Sequence, residues 1–277
     1  MQDVVARTGG DPDSTVVHAF DRVATSAPER LAVSSWDGAL SYGELDAAAR
    51  ALAPALALDG GPIAIWAERG RWLPVAVLAA MRSRSVFTVL EPAQPAARNL
   101  ACLEALGART LVVSPGLALP GAISTWAKAS GALVLSPDTT AAPPASSLSA
   151  PSPGDPAYVL FTSGTTGAPK AILTHHAPLA HFLEWQARRF SLGPDDRGSV
   201  LSGLAHDPLL RDLFAPLTAG GTVCVPRQEL IRDPVGLRRW LRDERVTLCH
   251  LTPALGQLLA AGAAGEPPLD ALRLVFS

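Results

Sequence analysis

The sequence predicts an α/β protein: layered, mostly parallel sheets with helices on both faces. Three observations carry that expectation. Short β-type runs alternate with helix-period segments almost throughout the 277 residues, and repeated strand–helix–strand units imply parallel strands joined by crossovers. The composition, 48% hydrophobic and 17% charged, suits a globular chain with a substantial core.

Ser14 is placed to cap a helix in which Val16, Val17, Phe20 and Val23 share one face. Leu31–Ser35 reads as a strand, Asp37-Gly38 as a tight turn and Leu40–Tyr42 as the return strand. Glu44–Leu56 has helical period. Pro62–Ala67 and Ser85–Leu90 are apolar strands flanking a helix around Leu73–Arg82, and Thr110–Ser114 and Ala132–Leu135 continue the alternation.

Between 136 and 156 the composition turns to Pro, Ala, Ser and Asp without periodicity, which reads as a surface loop or linker. The expected organisation is therefore an α/β subdomain over 1–135, the linker 136–156, and a second α/β subdomain over 157–277. A long loop inside one domain fits as well.

The second half opens with the strand Ala157–Thr162, followed by a Gly-rich loop and a strand near Ala171–Thr174. Helices are expected over Pro178–Phe190, Pro208–Leu217, Val235–Glu244 and Ala254–Ala261, with strands at Ser199–Ser202, Thr222–Val225 and Val246–Leu251. Leu272–Ser277 again reads as a buried strand. A chain stopping there is expected to be incomplete, because a parallel strand needs its crossover partner.

The loop Thr162-Ser163-Gly164-Thr165-Thr166-Gly167-Ala168-Pro169-Lys170 follows directly on a strand. Its glycines permit positive φ and close approach of backbone amides to a ligand. Four hydroxyls can donate to phosphate oxygens, and Lys170 adds a compact positive charge. That is a cradle for polyphosphate, although not the Walker spacing. The alternative is a plain polar hairpin loop.

TSGTTGAPK resembles the signature loop of the adenylate-forming superfamily, which includes acyl-CoA synthetases, luciferases and the adenylation domains of nonribosomal peptide synthetases. Ala171 stands where that superfamily usually has glycine, and His176 and Leu179 match its downstream His-x-x-Leu. LSYGEL (40–45) resembles the first core motif of peptide-synthetase adenylation domains, and SVFTVLEPAQPAAR (85–98) the second in outline, with Pro92, Pro95 and Arg98 in place. The match runs over nearly the whole chain and implies the N-terminal large-domain portion of such an enzyme.

LAHDPLLRDLFAPLTAGGTVCV (204–225) resembles the fourth core motif, with His206 at its aromatic position and Asp207 next. From the residues alone Asp207 is a helix cap ahead of Pro208. The resemblance implies instead a carboxylate that pairs with a substrate α-ammonium. Arg211 is either half of an i,i+4 ion pair with Asp207 or a pocket residue. His250 is either a satisfied strand-end histidine or a pocket residue. Taken together, Asp207, Pro208, Arg211 and His250 resemble the start of the selectivity pattern of α-aminoadipate-activating domains. An acidic amino acid is the implied substrate, since Arg and His suit a side-chain carboxylate.

The resemblance further implies ATP bound through Thr162, Ser163, Gly164, Thr165, Thr166, Gly167 and Lys170, Mg²⁺ bridging the phosphates, and a partner carrier protein with a phosphopantetheine thiol. The adenine-stacking segment, the ribose-binding acid and the domain with the catalytic lysine are expected beyond Ser277. Residues 1–277 alone are therefore expected not to complete adenylation, and no catalytic residue is assigned. Another adenylate-forming ligase and a non-catalytic binding remnant are the competing readings; the orientation of Asp207 and the downstream sequence separate them.

A formal net charge of −2 supplies no basic face for nucleic acid. The longest apolar runs, such as Leu73–Met81, are too short for a bilayer, and Asp3 with no cationic-apolar segment argues against a signal peptide. A cytoplasmic protein is expected. Cys102, Cys224 and Cys249 read as small buried hydrophobes. His18, His175 and His181 show no metal-ligand spacing.

Overall fold

The computed structural model describes residues 14–139, 148–163 and 169–276. Two six-stranded sheets are formed. One runs β12 (Leu274–Phe276), β11 (Leu248–His250), β9 (Arg197–Ser199), β10 (Thr222–Val225), β1 (Leu31–Ser35) and β2 (Gly38–Ser41). The other runs β6 (Leu133–Leu135), β5 (Thr110–Val113), β3 (Ile63–Trp66), β4 (Phe87–Leu90), β7 (Pro156–Ser163) and β8 (Pro169–His175). Among the described residues only the edge pairs β1–β2 and β7–β8 are antiparallel, so the mostly parallel α/β class holds.

Each sheet draws strands from both sides of the segment 136–156. β1 and β2 lie beside β10, while β7 and β8 continue the sheet begun by β3 and β4. The sheets therefore do not divide the chain at that segment.

The helices α1 (Val16–Ser26), α2 (Tyr42–Ala57), α3 (Trp72–Arg82) and α7 (Pro208–Ala219) join residues of both sheets in the central core. Every residue of α3 from Leu73 to Arg82 is buried, which explains its all-round apolar sequence. A second cluster, with Trp66, Leu103 and Ile123, packs α4 (Ala96–Leu106) and α5 (Gly121–Ser130) on one sheet. A third, with Cys224, Leu237 and Leu259, packs α8 (Pro234–Asp243) and α9 (Pro253–Ala261) on the other. Burying each such Leu or Ile contributes about 1.5–3 kcal/mol.

Local signals set the boundaries. Thr15, not Ser14, caps α1, its hydroxyl accepting from His18 N at 3.2 Å. Ser41 and Glu44 form a capping box at the start of α2. Tyr42 is buried, and its hydroxyl donates to Leu217 O at 3.0 Å and Gly221 O at 2.7 Å, tying α2 to the end of α7. The expected strand at Ser199–Ser202 is shifted: β9 ends at Ser199, and 200–202 belong to the following turn, where side chains from elsewhere take up the backbone groups.

Candidate active site

The Gly-rich loop joins β7 to β8. These strands pair antiparallel, with Thr162 opposite Lys170 and Ser163 opposite Pro169. The β-forming run PAYVLFTS makes β7, and the hairpin register then places Lys170 across from Thr162. Both residues are exposed. Gly164, Thr165, Thr166, Gly167 and Ala168 lie outside the described residues. The hairpin is common to the phosphate cradle and the plain-loop alternative.

Beside β7 is a crevice lined by Thr88, Tyr158, Leu160, His206 and Leu209. His206 and Asp207 are exposed at its rim, just before α7. Asp207 stands at the N-cap position of α7, yet its side chain makes no capping hydrogen bond. Its Oδ1 accepts instead from the Tyr158 hydroxyl at 3.4 Å, linking α7 to β7. Burial, reinforced by the Asp207 carboxylate, pushes Tyr158 up to about 12, so the phenol stays a donor.

Arg211, one turn further along α7, does not pair with Asp207. Its guanidinium lies over the Phe182 ring of α6 (His176–Phe190), 5.5 Å from the centroid, and its buried Nε has no hydrogen-bond partner among the described residues. The surface ion pair that the spacing allowed is not formed.

His250, at the end of β11, is only 7% exposed. Its Nδ1 lies 2.8 Å from Asp212 Oδ1, its Nε2 lies 3.1 Å from Gln186 Nε2, and its ring stacks on Phe276. Asp212 Oδ2 also accepts from Leu201 N at 3.0 Å and Ser202 N at 2.9 Å. From the opposite side, buried Arg69 donates to the carbonyls of Val200, Leu201 and Ser202 at 3.2, 3.3 and 2.6 Å, and to Gln228. Side chains thus take the carbonyls of 200–202 and the amides of Leu201 and Ser202, while Val200 N still donates to Cys224 O of β10 at 3.0 Å, so ladder pairing fades past that residue.

The structure places Asp207 and Arg211 on one helix and backs both Arg211 and His250 with α6. Tyr158, Phe182, Gln186 and Asp212 were missed by sequence reasoning. Phe182 and Gln186 stand four apart on α6, a spacing visible in the chain, but their partners lie 29 and 64 positions away. No local pattern signals such pairs. The three cysteines are free and buried; burial pushes Cys224 and Cys249 up to about 12, so neither is a reactive thiolate. Among the described residues no helix is long and apolar enough to cross a membrane.

Two mostly parallel sheets, a β7–β8 hairpin at the edge of one and the start of α7 with its exposed acid beside it frame the candidate site. The chain belongs to the AMP-binding enzyme family, whose model matches residues 20–277.

It is 32% identical over 307 residues to the L-2-aminoadipate reductase of Schizosaccharomyces pombe, covering 100% of this chain and 21% of that protein. It is 32% identical over 276 residues to nonribosomal peptide synthetase 1 of Ajellomyces capsulatus, covering 95% of this chain and 15% of that protein. The chain thus spans about a fifth or less of these relatives. The AMPPNP-bound form of the nonribosomal peptide synthetase FmoA3 superposes with a TM-score of 0.84 at 30% identity, covering 98% of this chain and 29% of that one. Its α-methyl-L-serine-AMP-bound form gives 0.83 at 29% identity, covering 97% of this chain and 30% of that one.

Proposed function

We propose that the chain is part of an amino-acid adenylation domain of a peptide synthetase or a related reductase, acting in the cytoplasm. An amino-acid carboxylate oxygen attacks the α-phosphorus of ATP, the bond to the β-phosphate oxygen breaks, and pyrophosphate leaves an aminoacyl-AMP. Thr162 to Lys170 would hold the β- and γ-phosphates through amides, hydroxyls and the Lys170 ammonium. Among the described residues no cluster of three or more His, Cys, Asp and Glu could hold a metal ion. Mg²⁺ accompanying ATP would supply charge neutralisation on the phosphates. A carrier-protein phosphopantetheine thiol would then accept the aminoacyl group.

The observation that carries this reading is the free carboxylate of Asp207. It caps no helix, is exposed beside the crevice, and is anchored by Tyr158. An α-ammonium is its natural partner, which favours an amino acid over a fatty or aryl acid. The likeness to FmoA3, crystallised with an aminoacyl-adenylate, supports it. Arg211, a cation whose guanidinium rests on Phe182 and not on Asp207, is the residue that would favour an acidic side chain.

Pyrophosphate exchange tests the reading on this chain completed by the remaining segments of an adenylating enzyme. Exchange driven by an acidic amino acid is expected. Exchange driven only by aryl or fatty acids overturns the amino-acid assignment, and preference for a large apolar amino acid overturns the acidic one.

A further inference from the structure

Tyr158 on β7 stands opposite Thr174 on β8, and facing residues of paired strands share one side of a sheet. The Tyr158 hydroxyl has two hydrogen-bond partners, Asp207 Oδ1 at 3.4 Å and the Thr174 hydroxyl. A phenol carries one proton, and a carboxylate can only accept. The Tyr158 proton is therefore committed to Asp207, and Thr174 must donate to the phenol oxygen. A directed relay results, running from β8 through β7 to the start of α7. Tyr158 is buried, Thr174 is half-buried and Asp207 is exposed. The phenol is thus the inner joint of the relay. Without Thr174, its O–H is free to rotate away from Asp207.

We propose that Thr174 is a positioning residue for the amino-acid half of the reaction, orienting the Tyr158 hydroxyl so that its proton is held on the Asp207 carboxylate. The proposal rests on the amino-acid reading above. Thr174 acts through Tyr158 and is not a catalytic residue. Lys170 stands four residues earlier on the same strand and, by the two-residue period, on the same side. One strand thus serves both substrates, with Lys170 at the phosphate loop and Thr174 about 13 Å further along. Mere support of the hairpin would affect both ends alike. A positioning role predicts a split, in which loss of the Thr174 hydroxyl weakens the amino acid and spares ATP.

Thr174→Val keeps the side-chain shape and suits a strand, so it removes little beyond the hydroxyl. The first measurement needs no activity. The chain has two tyrosines, Tyr42 and Tyr158, so ¹³Cζ-tyrosine labelling gives two resonances, and Tyr158→Phe assigns them. Thr174→Val is expected to move the Tyr158 resonance and leave that of Tyr42, which is bonded to Leu217 O and Gly221 O. An unmoved Tyr158 resonance overturns the proposal. The second measurement is pyrophosphate exchange on the completed enzyme. Thr174→Val is expected to raise the amino-acid KM about three- to fivefold, the effect of one neutral hydrogen bond, with kcat and the ATP KM nearly unchanged. Thr174→Ser is expected to restore the parent value. In the Tyr158→Phe background Thr174→Val is expected to change almost nothing, because its target is gone. An unchanged amino-acid KM, an equal rise in the Tyr158→Phe background, or an equal rise in the ATP KM overturns the proposal. Thr174→Ala, read the same way, serves should the valine variant fail to fold. Absence of all amino-acid-dependent exchange in the parent would instead overturn the function on which the inference rests, without touching the NMR result.

Discussion

Asp212 Oδ1 and His250 Nδ1 meet at 2.8 Å inside a site where the acid side chain is wholly covered. Two residues separated by 38 positions are thereby locked, and the same carboxylate holds the turn at 201–202. Arg69 closes that turn from its other side. The loop leading to His206 and Asp207 is thus anchored at its start by buried, fully used polar groups.

Removing Asp212 orphans three buried donors at once. Asp212→Ala is expected to cost about 3–5 kcal/mol of stability, the range for breaking a buried charged network, read from urea unfolding. Asp212→Asn, which keeps an acceptor oxygen, is expected to cost less. Equal midpoints for parent and Ala variant would show that the network contributes nothing.

Tyr158 anchors Asp207 through a single long hydrogen bond. Tyr158→Phe should raise the amino-acid KM by roughly 3–10-fold, equivalent to about 1 kcal/mol, with kcat nearly unchanged. Steady-state exchange on the completed enzyme checks this. A fall in kcat with unaltered KM would point away from substrate positioning.

Lys170 stands opposite Thr162 across the hairpin. Lys170→Met keeps length and removes charge, so apparent ATP affinity should fall roughly 10–100-fold, the loss of one charge-assisted contact of about 1.5–3 kcal/mol. Amino-acid affinity should hardly change. Titration with ATP at fixed amino acid separates the two.

His176 opens α6 and is 2% exposed, and burial pushes it down to about 4, partly countered by Asp155. A histidine buried neutral must desolvate a charge to protonate. Its contribution is therefore fully present above its unfolded value near 6.5 and is lost as pH falls toward about 4, amounting to about 3 kcal/mol. The Ser152 amide, chiefly, holds Asp155 below the usual carboxylate range, so its own loss comes at lower pH. Urea midpoints should decline between about pH 6.5 and 4, and His176→Asn should flatten that decline. A parallel decline in the variant would assign it elsewhere.

Much of the architecture is legible in the chain. Element types follow from apolar period, and the capping box of Ser41 and Glu44 marks the start of α2 without any tertiary help. Boundaries drift where long-range contacts intervene. At 200–202 the apolar run suggested more strand, but Arg69 takes its carbonyls and Asp212 the amides of Leu201 and Ser202. The mixing of strands from both halves in each sheet is likewise invisible, because strand order depends on which faces can be covered.

For the site, local order in the chain decided a good deal. Nine consecutive residues from Thr162 to Lys170 bring together the glycines, hydroxyls and lysine that would suit a polyphosphate, and Asp207, Pro208 and Arg211 mark a helix start with an acid and a base one turn apart. Such properties need only backbone conformation and neighbours within a turn. Only the tertiary structure decided that Asp207 reaches Tyr158 instead of capping its helix, that Arg211 rests on Phe182, and that both nitrogens of His250 are engaged by Asp212 and Gln186. A buried polar atom must find a partner wherever packing brings one, and that choice depends on distance in space rather than along the chain.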